Sequence, residues 1–310
     1  MGGLALMIAA SVNAGTVLAL AGLGLLVNER AGVLNLGAEG MMLMGALAGY
    51  ATALSIHAPG VGMLAGYLAG AAAGAAMAAL FGWLAIGIGT NQYATGLALS
   101  LFGVGFSAFA GAGLVDKQLP ERARDGIPML RDLPVVGPAL FGYHPLVYGA
   151  VLLAAGLAWF FFRSRSGLLL RAVGESPESA HALGHRVRLI RLGAVVFGGA
   201  MCGLAGAYVS LAYTHLWVEN LIAGRGWIAL ALTTFATWRP ARVLLGAYLF
   251  GGLTMLQFHL QERGVQIESH LLGMIPYAAT VVVLVLISRR AAWIRHNMPA
   301  SLGRIFRPGT

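Results

Sequence analysis

The sequence predicts an all-α, polytopic integral membrane protein of about nine transmembrane helices (eight to ten), folded as one domain over residues 1–310. Three observations carry that prediction. Charged residues make up 10% of the chain and hydrophobic residues 58%, against about 25% charged in an ordinary soluble domain. Mean hydropathy is +0.79. The apolar residues also fall into runs near the ~20 residues that cross ~30 Å of hydrocarbon as helix. A chain so poor in charge cannot build a solvated shell over most of its surface, so its solvent is lipid.

Helix is the spanning element because lipid cannot satisfy an open backbone, and the short alternating segments of an outer-membrane barrel are absent. The runs are Ala5–Val27, Val33–Ile56, Val61–Ile88, Tyr93–Gly111, Leu146–Phe162, Ile190–Tyr213, Trp227–Thr237, Val243–His259 and Leu271–Ile287. The first lacks a basic n-region and exceeds a signal peptide's apolar length. The seventh is too short to cross alone, which implies a buried, partly re-entrant or longer bent helix. In the third, Gly62, Gly66, Gly70 and Gly74 recur every four residues, a ridge without side chains that lets another helix approach. Gly199, Gly203 and Gly206 supply the same feature in the sixth.

Other classes are excluded by composition. Disorder needs low hydrophobicity and high charge. A disulfide scaffold needs more than the single Cys202, and the 45 glycines show no Gly-X-Y period. The net charge of +9 sits in short clusters between apolar runs, not on one soluble face, so no nucleic acid is expected as a partner. Fourteen of the twenty basic residues lie at Arg30, in the loop at 163–191, at Arg239 and Arg242, and in the C-terminal tail. The positive-inside rule makes that side cytoplasmic. The N-terminus is then outside and the C-terminus inside, with a long outer loop at 112–145 and a long inner loop at 163–189.

The chain's only lysine is Lys117, in VDKQLP, so it carries no P-loop. Of eight histidines, only His181 and His185 share helical i, i+4 spacing, without flanking acidic or cysteine ligands. Gly-x-Ser-x-Gly and His-Glu-x-x-His are absent. No catalytic residue and no metal site is therefore expected.

What remains is polar chemistry at membrane depth, which is costly and usually marks a pathway. Asn35 and Glu39 follow the first cytoplasmic turn and, on a helix, share one face. Either they face solute, or Glu39 is capped by nearby amides or paired with Arg30. Glu39 is the one acid this reading places at membrane depth. Asn91, Gln92 and Thr95 enter the fourth run from the same side, as solute contacts or as helix ties. In the inner loop, Ser176 can cap a short helix with Pro177 at its first position and Glu178 in its first turn, and Gly184 can stop it. Such a helix has the form of a docking element or of an interfacial helix lying on anionic lipid.

The stretches ERAGVLNLGAEGMMLMGA, LLLRAVGESPESAHALG, GGAMCGLAGAYVSL and GRGWIALALTTFATWRPARVLLGAYLFGG resemble the permease subunits of bacterial ABC importers. The group is the one handling simple sugars, branched-chain amino acids and nucleosides, and the likeness is greatest to the shorter permease of general nucleoside uptake systems. It covers residues 5–288. The resemblance implies ATP-driven import of nucleosides or related small polar solutes by alternating access, in a bacterial inner membrane. ATP and Mg would be bound by a partner ATPase, and this chain itself would hold no cofactor. It further implies a second permease, a paralogue in a heterodimer, and an extracytoplasmic substrate-binding lipoprotein. Residue by residue, Gly174, Glu175, Ser176, Pro177, Glu178, Ala180 and Gly184 would form the coupling segment, and Asn35 and Glu39 would belong to the translocation path. Asn91, Gln92 and Thr95 match more loosely, while Arg225 and Trp227 would lie near an outer gate. The rival from another class is an ion-coupled secondary transporter with Glu39 as its ion-linked carboxylate.

Overall fold

The computed structural model describes residues 2–56, 58–119, 142–262 and 297–306, with isolated positions between 274 and 285. The middle of the predicted outer loop and most of the predicted ninth run lie outside them. The described residues form ten α-helices: α1 (Gly2–Arg30), α2 (Ala38–Ser55), α3 (Pro59–Gly82), α4 (Gln92–Gly111), α5 (Pro145–Arg163), α6 (Arg165–Glu175), α7 (Pro177–Ala182), α8 (Val187–Tyr208), α9 (Arg225–Phe235) and α10 (Pro240–Glu262). Wider π turns extend α3 over Trp83–Ile88 and α8 over Val209–Tyr213.

Among the described residues, six helices are long and apolar enough to cross a membrane: Met7–Arg30, Gly60–Ile88, Gln92–Leu114, Pro145–Arg163, Val187–Tyr213 and Pro240–Gln261. They coincide with six of the nine predicted runs. The second run becomes α2, which starts only at Ala38 because residues 31–37 form turns and extended chain. The seventh becomes α9, whose 11 residues reach about 16 Å, half the hydrocarbon thickness.

The core is made by backbone approach more than by large side chains. α3 packs on α8 and α2, and α1 lies along α10 and α8. The two predicted glycine ridges face each other: a Cβ on Gly70 would sit 2.5 Å from Ala207 Cβ, and one on Gly74 2.7 Å from Gly203 Cα. A Cβ on Gly66 would meet the Gly49 carbonyl of α2 at 2.8 Å. Without a hydrophobic drive between helices in lipid, such close contact supplies the dispersion energy that holds them. Outward faces carry exposed apolar side chains such as Leu64 and Leu68 on α3, Leu101 and Phe109 on α4, and Leu152 and Trp159 on α5.

Arg30, Arg171, Arg191, Arg239 and Arg304, all from the set sorted together by sequence, lie at one end of the bundle. Arg191 donates to Ala31 O, Arg304 O and Ser301 Oγ, and Arg30 Nε and Nη2 donate to Trp238 O. This fastens α1, α8, the α9–α10 corner and residues 297–306 into one platform.

Candidate functional site

After α8 the chain turns at the far end of the bundle, where Trp217 is buried against Gly111 at the end of α4. It then re-enters the protein through buried Leu221 and Ile222 and begins α9 at Arg225. Asn220 and Ala223 take φ of 55° and 50° here, and Gly224 takes 84°. A left-handed backbone is disfavoured for residues with a Cβ, so these positions record a break imposed by tertiary packing. α9 finishes at the Arg30 platform, where Thr237 and Trp238 are again left-handed, at 49° and 54°.

The first turn of α9 meets Glu39. Its Oε1 accepts the Gly224 N–H and its Oε2 the Gly226 N–H, both at 2.7 Å. A carboxylate suits a helix N-terminus, where unpaired amides and the aligned peptide dipoles are positive. Gly226 permits the approach, since a Cβ there would stand 2.6 Å from the Glu39 nitrogen. Counting the rise of α9 from Thr233, which touches Glu29 of α1, back to Gly226 places the Glu39 carboxylate about 10 Å inside the platform. It is therefore well within the protein, with 4% of the residue exposed.

Asn35 and Glu39 do not share a helical face, a correction to the spacing argument. Asn35 precedes α2, accepting the Gly37 N–H at Oδ1 and turning Nδ2 toward Met41 Sδ. Arg30 is not Glu39's partner either, because its guanidinium is spent on Trp238 O and Asn297 O. Asn91 caps α4 by accepting from Tyr93 and Ala94 N–H. Gln92 is buried, accepting from Leu34 N–H and donating to Arg304 O. Thr95 pairs with Thr90 and lines an apolar groove between α3 and α4. Arg225 donates to Leu221 O and Ile222 O and stands over the Tyr213 ring, while Trp227 is partly exposed. The structure thus joins Glu39 to the GRGW segment, two features that sequence assigns to opposite sides, and leaves Asn91, Gln92 and Thr95 near the platform.

Sequence reasoning missed Glu29, a second buried acid, which lies at the platform end of α9 and is only 2% exposed. Its Oε1 meets the Thr233 hydroxyl at 2.7 Å and its Oε2 accepts the Trp238 indole N–H at 2.6 Å. Sequence reasoning counts Arg30 beside it among the cytoplasmic charges and gives Glu29 no role. The available sequence signal was its position two residues past the first apolar run, Ala5–Val27, which the structure continues as helix to Arg30.

The short inner helix forms as its residues predict. Ser176 caps α7 by accepting the Ser179 N–H, Pro177 occupies its first turn with Glu178, and Gly184 ends the turn at φ 85°. Val173, Ala180, Val187 and Phe306 form a small separate core beneath it. Gly174 packs on the backbone of Arg30, its carbonyl accepts Ser301 N–H and Oγ–H, and Glu175 accepts Ala300 N–H. Leu183 is left 78% exposed on the outward turn, among His181, His185, Arg186 and Arg188.

Residues 7–287 match the family described as branched-chain amino acid transport system / permease component. The chain belongs to this ABC transporter permease family. A Haloferax volcanii protein named for glucose ABC transport as a permease is 40% identical over 94% of each chain. The nucleoside ABC transporter permease protein of Lactococcus lactis is 30% identical over 89% of this chain and 90% of its own. The guanosine ABC transporter permease protein of Bacillus subtilis is 31% identical over 91% of each. No solved structure matches. The permease is thus a membrane-spanning transport subunit and not itself an enzyme, which agrees with the missing P-loop.

Proposed function

We propose that this permease moves nucleosides or chemically similar polar solutes, sugars included, into the cytoplasm by ATP-driven alternating access. The observation that carries the reading is similarity to nucleoside, guanosine and glucose permeases along nearly the whole chain. These solutes share a neutral, hydroxyl-rich sugar. The Arg30 platform faces the cytoplasm, by the positive-inside rule, with the N-terminus outside. An ATPase docks on the turn built from Gly174, Glu175, Ser176, Pro177, Glu178, Ala180 and Gly184, with Leu183 as its apolar contact. ATP and Mg belong to that subunit. A paralogous permease completes the pathway, and a binding lipoprotein delivers solute from outside. Asn35 and Glu39 belong to the path with Asn91, Gln92 and Thr95, and Arg225 and Trp227 line the gate above them. An ion-coupled carrier gains a second buried acid in Glu29, but both Glu39 oxygens and Glu29 Oε2 already accept N–H groups of the protein, and Glu29 Oε1 lies beside the Thr233 hydroxyl, which also reaches Leu230 O.

The test is uptake of labelled nucleosides and sugars in cells lacking and regaining the chain. Restored uptake of guanosine, adenosine or uridine supports the nucleoside reading, and restored glucose uptake alone replaces it with a sugar. Restoration of neither removes both.

A further inference from the structure

Resting on the permease reading, we infer that Asn28, Glu29 and Arg30 form a state-dependent latch on α9, and that they act as positioning residues for transport without touching solute. Two adjacent side chains hold one residue from both sides. Glu29 accepts the Trp238 indole N–H, and Arg30 Nε and Nη2 donate to the Trp238 carbonyl at 3.1 and 2.8 Å. Trp238 needs such holding, because it and Thr237 occupy left-handed backbone that persists only when the surroundings over-determine it. At its other end α9 is held by Glu39 and again flanked by left-handed Asn220 and Ala223. The helix is thus a short rod with a strained break and a carboxylate clasp at each end.

Asn28 supplies an independent sign that this packing is one of two. Its side chain is fully buried against Gly198 of α8, yet neither its Oδ1 nor its Nδ2 has a hydrogen-bond partner. An unmet buried amide is destabilising, so an apolar residue suits this arrangement better. The amide is satisfied when the end of α1 shifts against α8. The shift has a mechanical source, because Gly174 lies on the Arg30 backbone and is tied to residues 300 and 301. Movement of the α6–α7 turn therefore moves Arg30, Arg30 moves Trp238, and Trp238 moves α9. Coupling of this kind rests on an element with two discrete arrangements, not on proximity alone.

The assembled complex in vesicles tests it, with Thr234→Cys on α9 as reporter. Thr234 is half-buried, and native Cys202 is fully buried. In the otherwise wild-type complex, maleimide labelling at 234 differs severalfold between the nucleotide-free and vanadate-trapped states. Glu29→Gln and Trp238→Phe abolish that difference and lower uptake about tenfold, the scale of one lost hydrogen bond to a charged group, while ATP hydrolysis continues. Asn28→Leu raises thermal stability or leaves it unchanged, yet lowers uptake. A wild-type complex that takes up solute with ATP but labels identically in both states overturns the latch alone, as do variants that keep the wild-type difference. If the wild-type complex shows no ATP-driven uptake, the transporter reading falls and the latch falls with it.

Discussion

α7 and α9 are both short helices that bury part of their surface at the same end of the molecule, and they are fastened by opposite means. α7 is closed by residues within its own turn: Ser176 caps it, Pro177 starts it and Gly184 ends it. α9 has no side-chain cap of its own. Its first turn is completed by Glu39, 185 residues away for Gly224, and its last by Glu29 and Arg30 of α1, more than 200 residues away. A locally closed helix can meet a partner as a preformed unit. One closed by distant residues reports any change in how those segments sit.

Substitutions at the two helices should separate accordingly. The largest effect is expected for Glu39→Ala, which strands the buried Gly226 N–H and the part-buried Gly224 N–H and should cost about 2–4 kcal/mol of stability. A melting measurement on the purified permease should show that loss together with loss of uptake. Glu39→Gln, which keeps one acceptor, should recover most of the stability. If uptake and solute specificity also return fully, Glu39 is a clasp and not a solute contact. Next comes Gly184→Val, where nothing lies within 4 Å of an added Cβ but a branched residue in left-handed backbone costs about 1–2 kcal/mol. Uptake should fall sharply while the amount of permease in the membrane stays at wild type, because the strain is confined to the turn after α7, where the ATPase is proposed to dock. Glu175→Gln belongs beside it: uptake is expected to drop and membrane level to hold.

The smallest change is expected for Ser176→Ala, the loss of one N-cap worth about 1 kcal/mol. Its effect should show as weaker co-purification with the ATPase and not as a lower melting temperature. Should Ser176→Ala unfold the permease and Glu39→Ala leave it untouched, the contrast between local and distant closure is wrong.

The same contrast explains what could be read from sequence. The cap, stop and glycine ridges are local or periodic signals, so α7 and the two ridges were legible residue by residue, while the packing of one ridge on the other came only with the structure. Among the described residues, six of the nine apolar runs return as helices long and apolar enough to span for the same reason, since length and hydropathy need no tertiary information. The seventh run was recognisable as too short, but its destination was not. The pairing of Glu39 with Gly224 and Gly226 depends on how residues 31–37 and 214–224 fold back into the protein, and neither stretch carries periodicity. Glu29 escaped notice because its partners, Thr233 and Trp238, are polar only at their tips within an apolar stretch. Sorting charges by side did bring Arg30, Arg191 and Arg304 into one group, and the structure gathers the Arg30 and Arg191 side chains and the Arg304 carbonyl into one platform.

The most direct test of the central claim is uptake of a labelled nucleoside into liposomes holding the permease with its partner permease, ATPase and binding protein. Accumulation that requires ATP on the ATPase side, stops with vanadate and survives collapse of proton and sodium gradients is the predicted result. Accumulation driven by an ion gradient without ATP would contradict it.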